Sequence, residues 1–248
     1  YLNSKLKLFN ELLVYKGNII FDQRIRESKK LNKITKNKNL RKYTTGNSKS
    51  FIYIKNIQKI KEQKKIDVEI NNKTYSFKTS LIGNIQIENL MFAIVAAYLS
   101  GLKITNIIKT INKIKSINGR IEKVGNLKNK ATVILDYAHT PHALKTLILD
   151  IKKDFPLSEL SLVFGCGGDR DKDKRSMMGN IAQNYCNNIY LTDDNPRFED
   201  PKLIRNQIKN GLNKKKFHEI PSRLQAINTA INKLKSGDVL LVVGKGHE

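Results

Sequence analysis

Residues 131–155 read ATVILDYAHTPHALKTLILDIKKDF. An apolar run ends on an aspartate, a short loop with a histidine and a proline follows, and apolar residues then recur at helical spacing. That order is strand, loop, helix. It is repeated in LSLVFGCGGDRDKDKRSMMGNIAQNYC (160–186) and in NNIYLTDDNPRFEDPKLIRNQIKNGL (187–212). HEIPSRLQAINTAINKLK (218–235) reads as a helix with Ser222 near its start, and GDVLLVVGKGHE (237–248) as a final strand. Repeated βα units with apolar strands predict a parallel sheet covered by helices. Such sheets bind ligands beyond the carboxyl ends of their strands. The four predicted exits, DYAHTP, GCGGDRDKDKR, TDDNPR and GKGHE, are all rich in glycine, charge or histidine. The upper edge of this open α/β domain is therefore expected to be a site.

Upstream the character differs. Residues 1–15 place Leu6, Leu8, Phe9, Leu12 and Leu13 at helical spacing, and GNIIFD (17–22) reads as a short strand. Residues 24–50 are polar and basic and are expected to be loop with little regular structure. SFIYIKNIQKI, KIDVEIN and KTYSFKTSL alternate in the β manner, with a turn at Asn71-Asn72. GNIQIENLMFAIVAAYLSG (83–101) carries the stripe Leu90, Ile94, Val95 and Leu99, with Gly101 as C-cap. KITNIIKTINKI (103–114) predicts a second helix with Thr105 as its N-cap.

The chain has 248 residues and a formal net charge of +24. No run of 18 apolar residues is present, so no transmembrane helix is expected. Two cysteines, Cys166 and Cys186, are too few for a disulfide framework and suit a reducing compartment. The lysines are scattered through KKLNKITKNKNLRK, KNIQKIKEQKK and KNGLNKKKF with few aromatics between them for base stacking. No zinc-finger, RNP or helix-turn-helix signature accompanies them, so solvated faces are expected and no nucleic-acid partner. The four histidines (139, 142, 218 and 247) lack metal-ligand spacing. The sequence starts without Met and stops just after an apolar strand, so a fragment truncated at both ends is expected.

Five motifs in order, GRIEKV, ILDYAHTPHAL, FGCGGDRDKDKRSMMG, TDDNPRFEDP and VVGKGHE, resemble the Mur ligase family. The resemblance is dense over 83–248 and thin over 24–75. It implies the C-terminal part of a central ATP-binding domain over 1–117. A Rossmann-like amino-acid-binding domain with a mostly parallel sheet would follow over 118–248. The family's phosphate loop, G-x-x-x-x-G-K-[ST], does not occur; TGNSKS (45–50) lacks the spacing. The fragment alone is expected to be inactive.

Residue by residue, YLNSKLKLF resembles Y-x-x-A-K-x-x-L-F, with Ser4 replacing Ala. Lys5 would then be carboxylated, an anion able to help position Mg2+. Asn89 matches an asparagine near the adenine of ATP, although Ile85 and Gln86 depart from the usual Phe-Asn. Arg120 matches an arginine for nucleotide phosphates, a role suited to a forked, permanent cation. Asp136 and His139 match residues facing the nucleotide. The resemblance places Arg170, Asp194, Asn195, Pro196, Arg197, Gly244 and Glu248 on the incoming amino acid. Diaminopimelate carries two ammonium–carboxylate ends. Arg170 and Arg197 suit its carboxylates, and Asp194 and Glu248 its ammonium groups. The resemblance thus implies a monomeric, cytoplasmic, ATP-dependent amide ligase working through an acyl phosphate, with UDP-N-acetylmuramoyl dipeptide as the acceptor. Open alternatives are a lysine-adding, cyanophycin or folylpolyglutamate type of ligase, or a basic nucleotide- or RNA-binding module.

Overall fold

The computed structural model describes residues 2–127, 129–212 and 217–245. Its contacts divide the chain into two units. One is Tyr1–Leu81 with Ile85–Lys115, the other Ile82–Asn84 with Ser116–Glu248.

In the first unit, helix α1 (Leu2–Lys7) runs into a π-helical turn (Leu8–Leu12). Strands β1 (Asn18–Asp22) and β2 (Arg41–Thr45) pair in parallel and flank helix α2 (Ser28–Asn37) in sequence. Strand β3 (Ile52–Ile60) joins β2 at a single parallel pair, and β4 (Gln63–Ile70) and β5 (Lys73–Thr79) continue the five-stranded sheet antiparallel. Asn71 and Asn72 both adopt positive φ (47° and 62°), the geometry a two-residue hairpin loop requires. Helices α3 (Asn84–Leu99) and α4 (Ile104–Thr110) follow. Leu90, Ile94 and Val95 of the expected stripe are buried against Ile52, Ile66 and Val68 of the sheet. Gly101 takes φ 93° just past α3, as a C-cap does.

Two expectations are corrected here. Residues 24–50 are not loop: they contain α2 and β2. The lysines of α2 hide an apolar stripe in which Leu31 and Ile34 pack with Ile19 and Phe21 of β1. Thr105 is not a cap. Helix α4 begins at Ile104 behind an extended Lys103, and no side chain caps it.

Among the described residues the second unit is a six-stranded sheet with four helices. Its strands are β6 (Glu122–Asn126), β7 (Thr132–Asp136), β8 (Leu160–Phe164), β9 (Asn188–Leu191), β10 (His218–Glu219) and β11 (Val239–Val243). Their order is β10-β9-β8-β11-β7-β6, parallel throughout except for β6 at one edge. The helices are α5 (Pro141–Asp154), α6 (Asp173–Tyr185), α7 (Pro201–Lys209) and α8 (Arg223–Asn232). Strands β8 and β11 are buried at every position, as strands covered on both faces must be. From β7 through β10 the chain steps one way across the sheet; after β10 it returns to insert β11 between β7 and β8. Right-handed crossovers then place α5, α6 and α7 on one face and α8 on the other. The packing agrees. Leu144, Met178 and Ile208 join one core with Ile134, Leu162 and Leu241, whereas Ala226 and Ala230 join another with Val133, Val163 and Leu240. His218 and Glu219 form the edge strand β10 rather than the start of a helix. That helix is α8, capped by Ser222, whose Oγ accepts from Gln225 N–H at 3.4 Å. Among the described residues no helix is long and apolar enough to cross a membrane.

Candidate active site

The exits of β7, β8, β9 and β11 surround one cleft of about 430 Å3. The β7 exit supplies Tyr137, His139 and Thr140. Gly167, Arg170 and Asp171 come from the β8 exit, with Lys174 of α6. The β9 exit supplies Asp194, Asn195 and Arg197, and the β11 exit Gly244. Six residues singled out from sequence therefore share one cavity: His139, Arg170, Asp194, Asn195, Arg197 and Gly244. Pro196 stands behind it, against Gly168. Glu248 lies outside the described residues.

The β8 and β9 exit loops are fastened to each other. Gly168 N–H donates to the Asn195 carbonyl at 2.9 Å, and Phe198 N–H to Asp169 Oδ2 at 3.2 Å. A Cβ on Gly168 would overlap the Pro196 carbonyl, so only glycine permits this approach. Beneath the loops Arg175 is completely buried. Its two terminal nitrogens each donate to Glu199 at 2.8 Å, and Nη2 also donates to the Gly167 carbonyl at 3.1 Å. Glu199 in turn accepts from Asp169 N–H at 2.6 Å. These bonds, the Arg175 guanidinium first, hold the Glu199 carboxyl down at about 2.

Arg197 sits at φ 49°, a left-handed conformation uncommon for a residue with a side chain. Its neighbours hold it there. The backbone N–H donates to Asn195 Oδ1 at 3.2 Å, and Nη1 donates to the Gly168 carbonyl at 2.8 Å. Among the described residues neither Arg197 nor Arg170 is paired with a carboxylate. Asp194 is likewise without a cation partner at salt-bridge distance; Oδ1 accepts from Asn195 N–H at 2.6 Å. Gly244 has φ 105°, and the spot a Cβ would occupy lies 2.8 Å from Asp194 Oδ2. The cleft is thus lined by three cations, Arg170, Lys174 and Arg197, and two carboxylates, Asp171 and Asp194, and among the described residues neither guanidinium is paired with a carboxylate.

At the β7 exit, Asp136 is a brace. Oδ2 accepts from Ile121 N–H at 2.9 Å and Oδ1 from Ala138 N–H at 2.7 Å. Burial pushes its carboxyl up, while these two N–H groups and the nearby Arg120 pull it back. The Arg120 guanidinium lies over the Tyr137 ring, 4.6 Å from its centroid. His139 meets Tyr137 edge-on, and its Nδ1 is 3.0 Å from the Tyr137 carbonyl. Lys174 Nζ donates to the His139 carbonyl at 3.0 Å. Both cysteines are free and buried; burial raises the Cys166 thiol to about 11, which leaves it unreactive at neutral pH.

Lys5 is exposed on α1 and Asn89 exposed on α3, both in the first unit. Among the described residues no group of three or more His, Cys, Asp or Glu could hold a metal ion. Tyr137, Lys174, Arg175 and Glu199 escaped the sequence reading as individual residues. DRDKDKR reads in sequence as a charged loop, but the partner of Arg175, Glu199, lies on a different loop and only the fold brings it there.

Residues 119–246 match the domain family described as "Mur ligase, glutamate ligase domain", and residues 1–97 match "Mur ligase middle domain". The chain is 41% identical over 249 aligned residues to the UDP-N-acetylmuramoyl-L-alanyl-D-glutamate--2,6-diaminopimelate ligase of Rickettsia typhi. That match covers 100% of this chain and 50% of the relative. The chain thus spans about half the length of the curated relatives it matches. A solved ligase of the same name superposes with a TM-score of 0.65 at 27% identity, over 100% of this chain and 51% of that one. The MurF ligase of Thermotoga maritima in complex with ADP superposes with a TM-score of 0.74 over 98% of this chain and 53% of that one. Its 14% identity makes that a likeness of fold alone.

Proposed function

This chain belongs to the Mur ligase family, and from that premise we propose that its function is that of an ATP-dependent amide ligase adding diaminopimelate to UDP-N-acetylmuramoyl-L-alanyl-D-glutamate. The observation that carries the reading is the cleft itself. Two guanidiniums and a carboxylate with no ion-pair partner among the described residues suit a ligand that brings both charges. In this reading Arg170 and Arg197 each take a carboxylate, and Asp194, with Glu248, takes an ammonium. Asn195 and Pro196 shape the turn, and Gly244 admits the ligand close to the backbone. Diaminopimelate is favoured over lysine because a guanidinium facing the distal end of lysine would stay unpaired.

The nucleotide side follows the same premise. Arg120 meets phosphate, Asn89 lies near adenine, and Asp136 and His139 face the nucleotide. Were Mg2+ bound, carboxylated Lys5 would help hold it, and the ion would offset charge on the transferring phosphoryl group. In the reaction the D-glutamate γ-carboxylate takes the γ-phosphoryl group of ATP, releasing ADP; the diaminopimelate amine attacks the resulting acyl phosphate, and the C–N bond forms as phosphate leaves and the amine gives up a proton. The functional division is drawn at 1–117 and 118–248. The enzyme is assigned as a cytoplasmic monomer without a nucleic-acid partner. In the full-length ligase, Arg197→Ala is expected to lower kcat/KM for diaminopimelate at least about 100-fold, with KM for ATP within about two-fold. Unchanged diaminopimelate kinetics would remove the pocket assignment.

A further inference from the structure

Each of the two joined exit loops carries a residue with a side chain in the left-handed region: Asp169 at φ 50° and Arg197 at φ 49°. The first directly precedes Arg170, and the second is the other arginine of the cleft. Such conformations persist where the surroundings over-determine them. Here the surroundings of both lead to Glu199. Its Oε1 accepts from Asp169 N–H at 2.6 Å, and Asp169 Oδ2 accepts at 3.2 Å from the N–H of Phe198, the residue between Arg197 and Glu199. Arg175 fixes Glu199 from below. Its guanidinium forks onto both carboxylate oxygens at 2.8 Å, Nη2 also donates to the Gly167 carbonyl at 3.1 Å, and Nη1 to Gln207 of α7 at 2.5 Å. Arg197 rests on the same backbone. Its Nη1 donates to the Gly168 carbonyl at 2.8 Å and lies 2.8 Å from the spot a Cβ on Gly167 would occupy. Residues 167–169 and 197–199 thus form one bonded set, from which Arg170 leaves on one loop and Arg197 on the other.

Stability alone does not call for an ion pair at this place, because apolar residues of similar volume often serve a buried position as well or better. What the fork adds is direction. Two parallel N–H···O bonds fix the angle as well as the distance between the elements that carry them. We propose that the Arg175–Glu199 pair sets the separation of Arg170 and Arg197, and so makes the cleft selective for the length of the diamino diacid it admits. Arg175 is completely buried and acts through the loops, as a positioning residue. A diacid held at both carboxylates must span the two guanidiniums, so a shift of about an ångström between them changes which length fits. This inference rests on the diaminopimelate reading above.

The test compares kcat/KM of the full-length ligase for diaminopimelate with that for 2,7-diaminosuberate, its homologue longer by one methylene. One methylene is worth about 10–200-fold in a fitted site, and the parent ratio is expected in that range. Arg175→Met combined with Glu199→Leu removes both charges and leaves neither buried alone. Arg175→Lys keeps a cation and loses the fork. The double variant is expected to lower the ratio at least about five-fold, and the lysine variant at least about three-fold. A purely structural role would reduce the amount of active enzyme, which lowers both kcat/KM values together and leaves their ratio unchanged. Thermal unfolding reports folding, and the lysine variant decides the matter if the double variant does not fold. A parental ratio in either folded variant would overturn the inference, as would a parent ratio near one, which leaves no length selectivity to set. A parent ligase that does not add diaminopimelate would instead bring down the diaminopimelate reading, and this inference with it.

Discussion

On the antiparallel strands of the first unit, Lys55 of β3 meets Glu69 of β4 at 3.1 Å with both side chains partly in water. In the second unit Arg175 meets Glu199 at 2.8 Å with the guanidinium wholly buried. The chemistry of the two pairs is similar, but their consequences are not. Water already solvates the first pair, so making it changes little. The second has been taken out of water and is compensated by bonds to Glu199, Gln207 and the Gly167 carbonyl, so breaking it leaves a desolvated charge without its closest counter-ion. In this protein, charge is spread over the surface of one sheet and concentrated beneath the exits of the other.

The sharpest way to break the second arrangement is steric. Gly168→Val would push a side chain into the Pro196 backbone and separate the two exit loops. Diaminopimelate addition by the full-length ligase is expected to fall at least about 100-fold, because misplacing a binding group by an ångström has that effect. Steady-state kinetics with thermal unfolding as a control checks it. Next comes a paired comparison. Arg175→Met is expected to lower the melting temperature by at least about 8 °C, and Lys55→Met by no more than about 2 °C. Equal shifts would erase the distinction between the two pairs.

The smallest effect is on acid stability. The Glu199 carboxyl is held at about 2 in the folded chain against an ordinary 4.5, so the folded state binds its proton less readily than the unfolded state does. The stabilisation this supplies is complete above pH 4.5 and is lost as pH falls from there toward 2. Glu199→Gln should flatten that part of the acid-unfolding curve, read by circular dichroism. A variant with the parental acid slope would place the effect elsewhere.

Much of the second unit was legible in sequence because its signals are local. Wholly apolar strands and loaded exits are each readable within a dozen residues. That the four exits form one edge followed from one rule about parallel sheets, whereas the choice of His139, Arg170, Asp194, Asn195, Arg197 and Gly244 rested on the resemblance to the Mur ligases; the fold places all six in one cavity. Helix α2 was missed because its burial depends on Leu31 and Ile34 among lysines, and composition outweighed period. Arg175 and Glu199 were missed because no local pattern links residues of separate loops. Ser222 was placed correctly near a helix start, but the two-residue strand before it gains its identity only from pairing with β9.

The place of β11 bears on how the protein is made. It follows the other five strands of its sheet in sequence, yet it pairs on both sides, with β7 and with β8. Until it is synthesised, β7 and β8 face an empty slot, and nothing holds the β7 exit in register with the joined exits of β8 and β9. Assembly therefore waits on a late, long-range insertion, which is slow and leaves apolar edges open to other chains meanwhile. A ribosome-bound intermediate ending before Val239 would carry most of the cleft's residues without the strand that sets the β7 exit beside the other two.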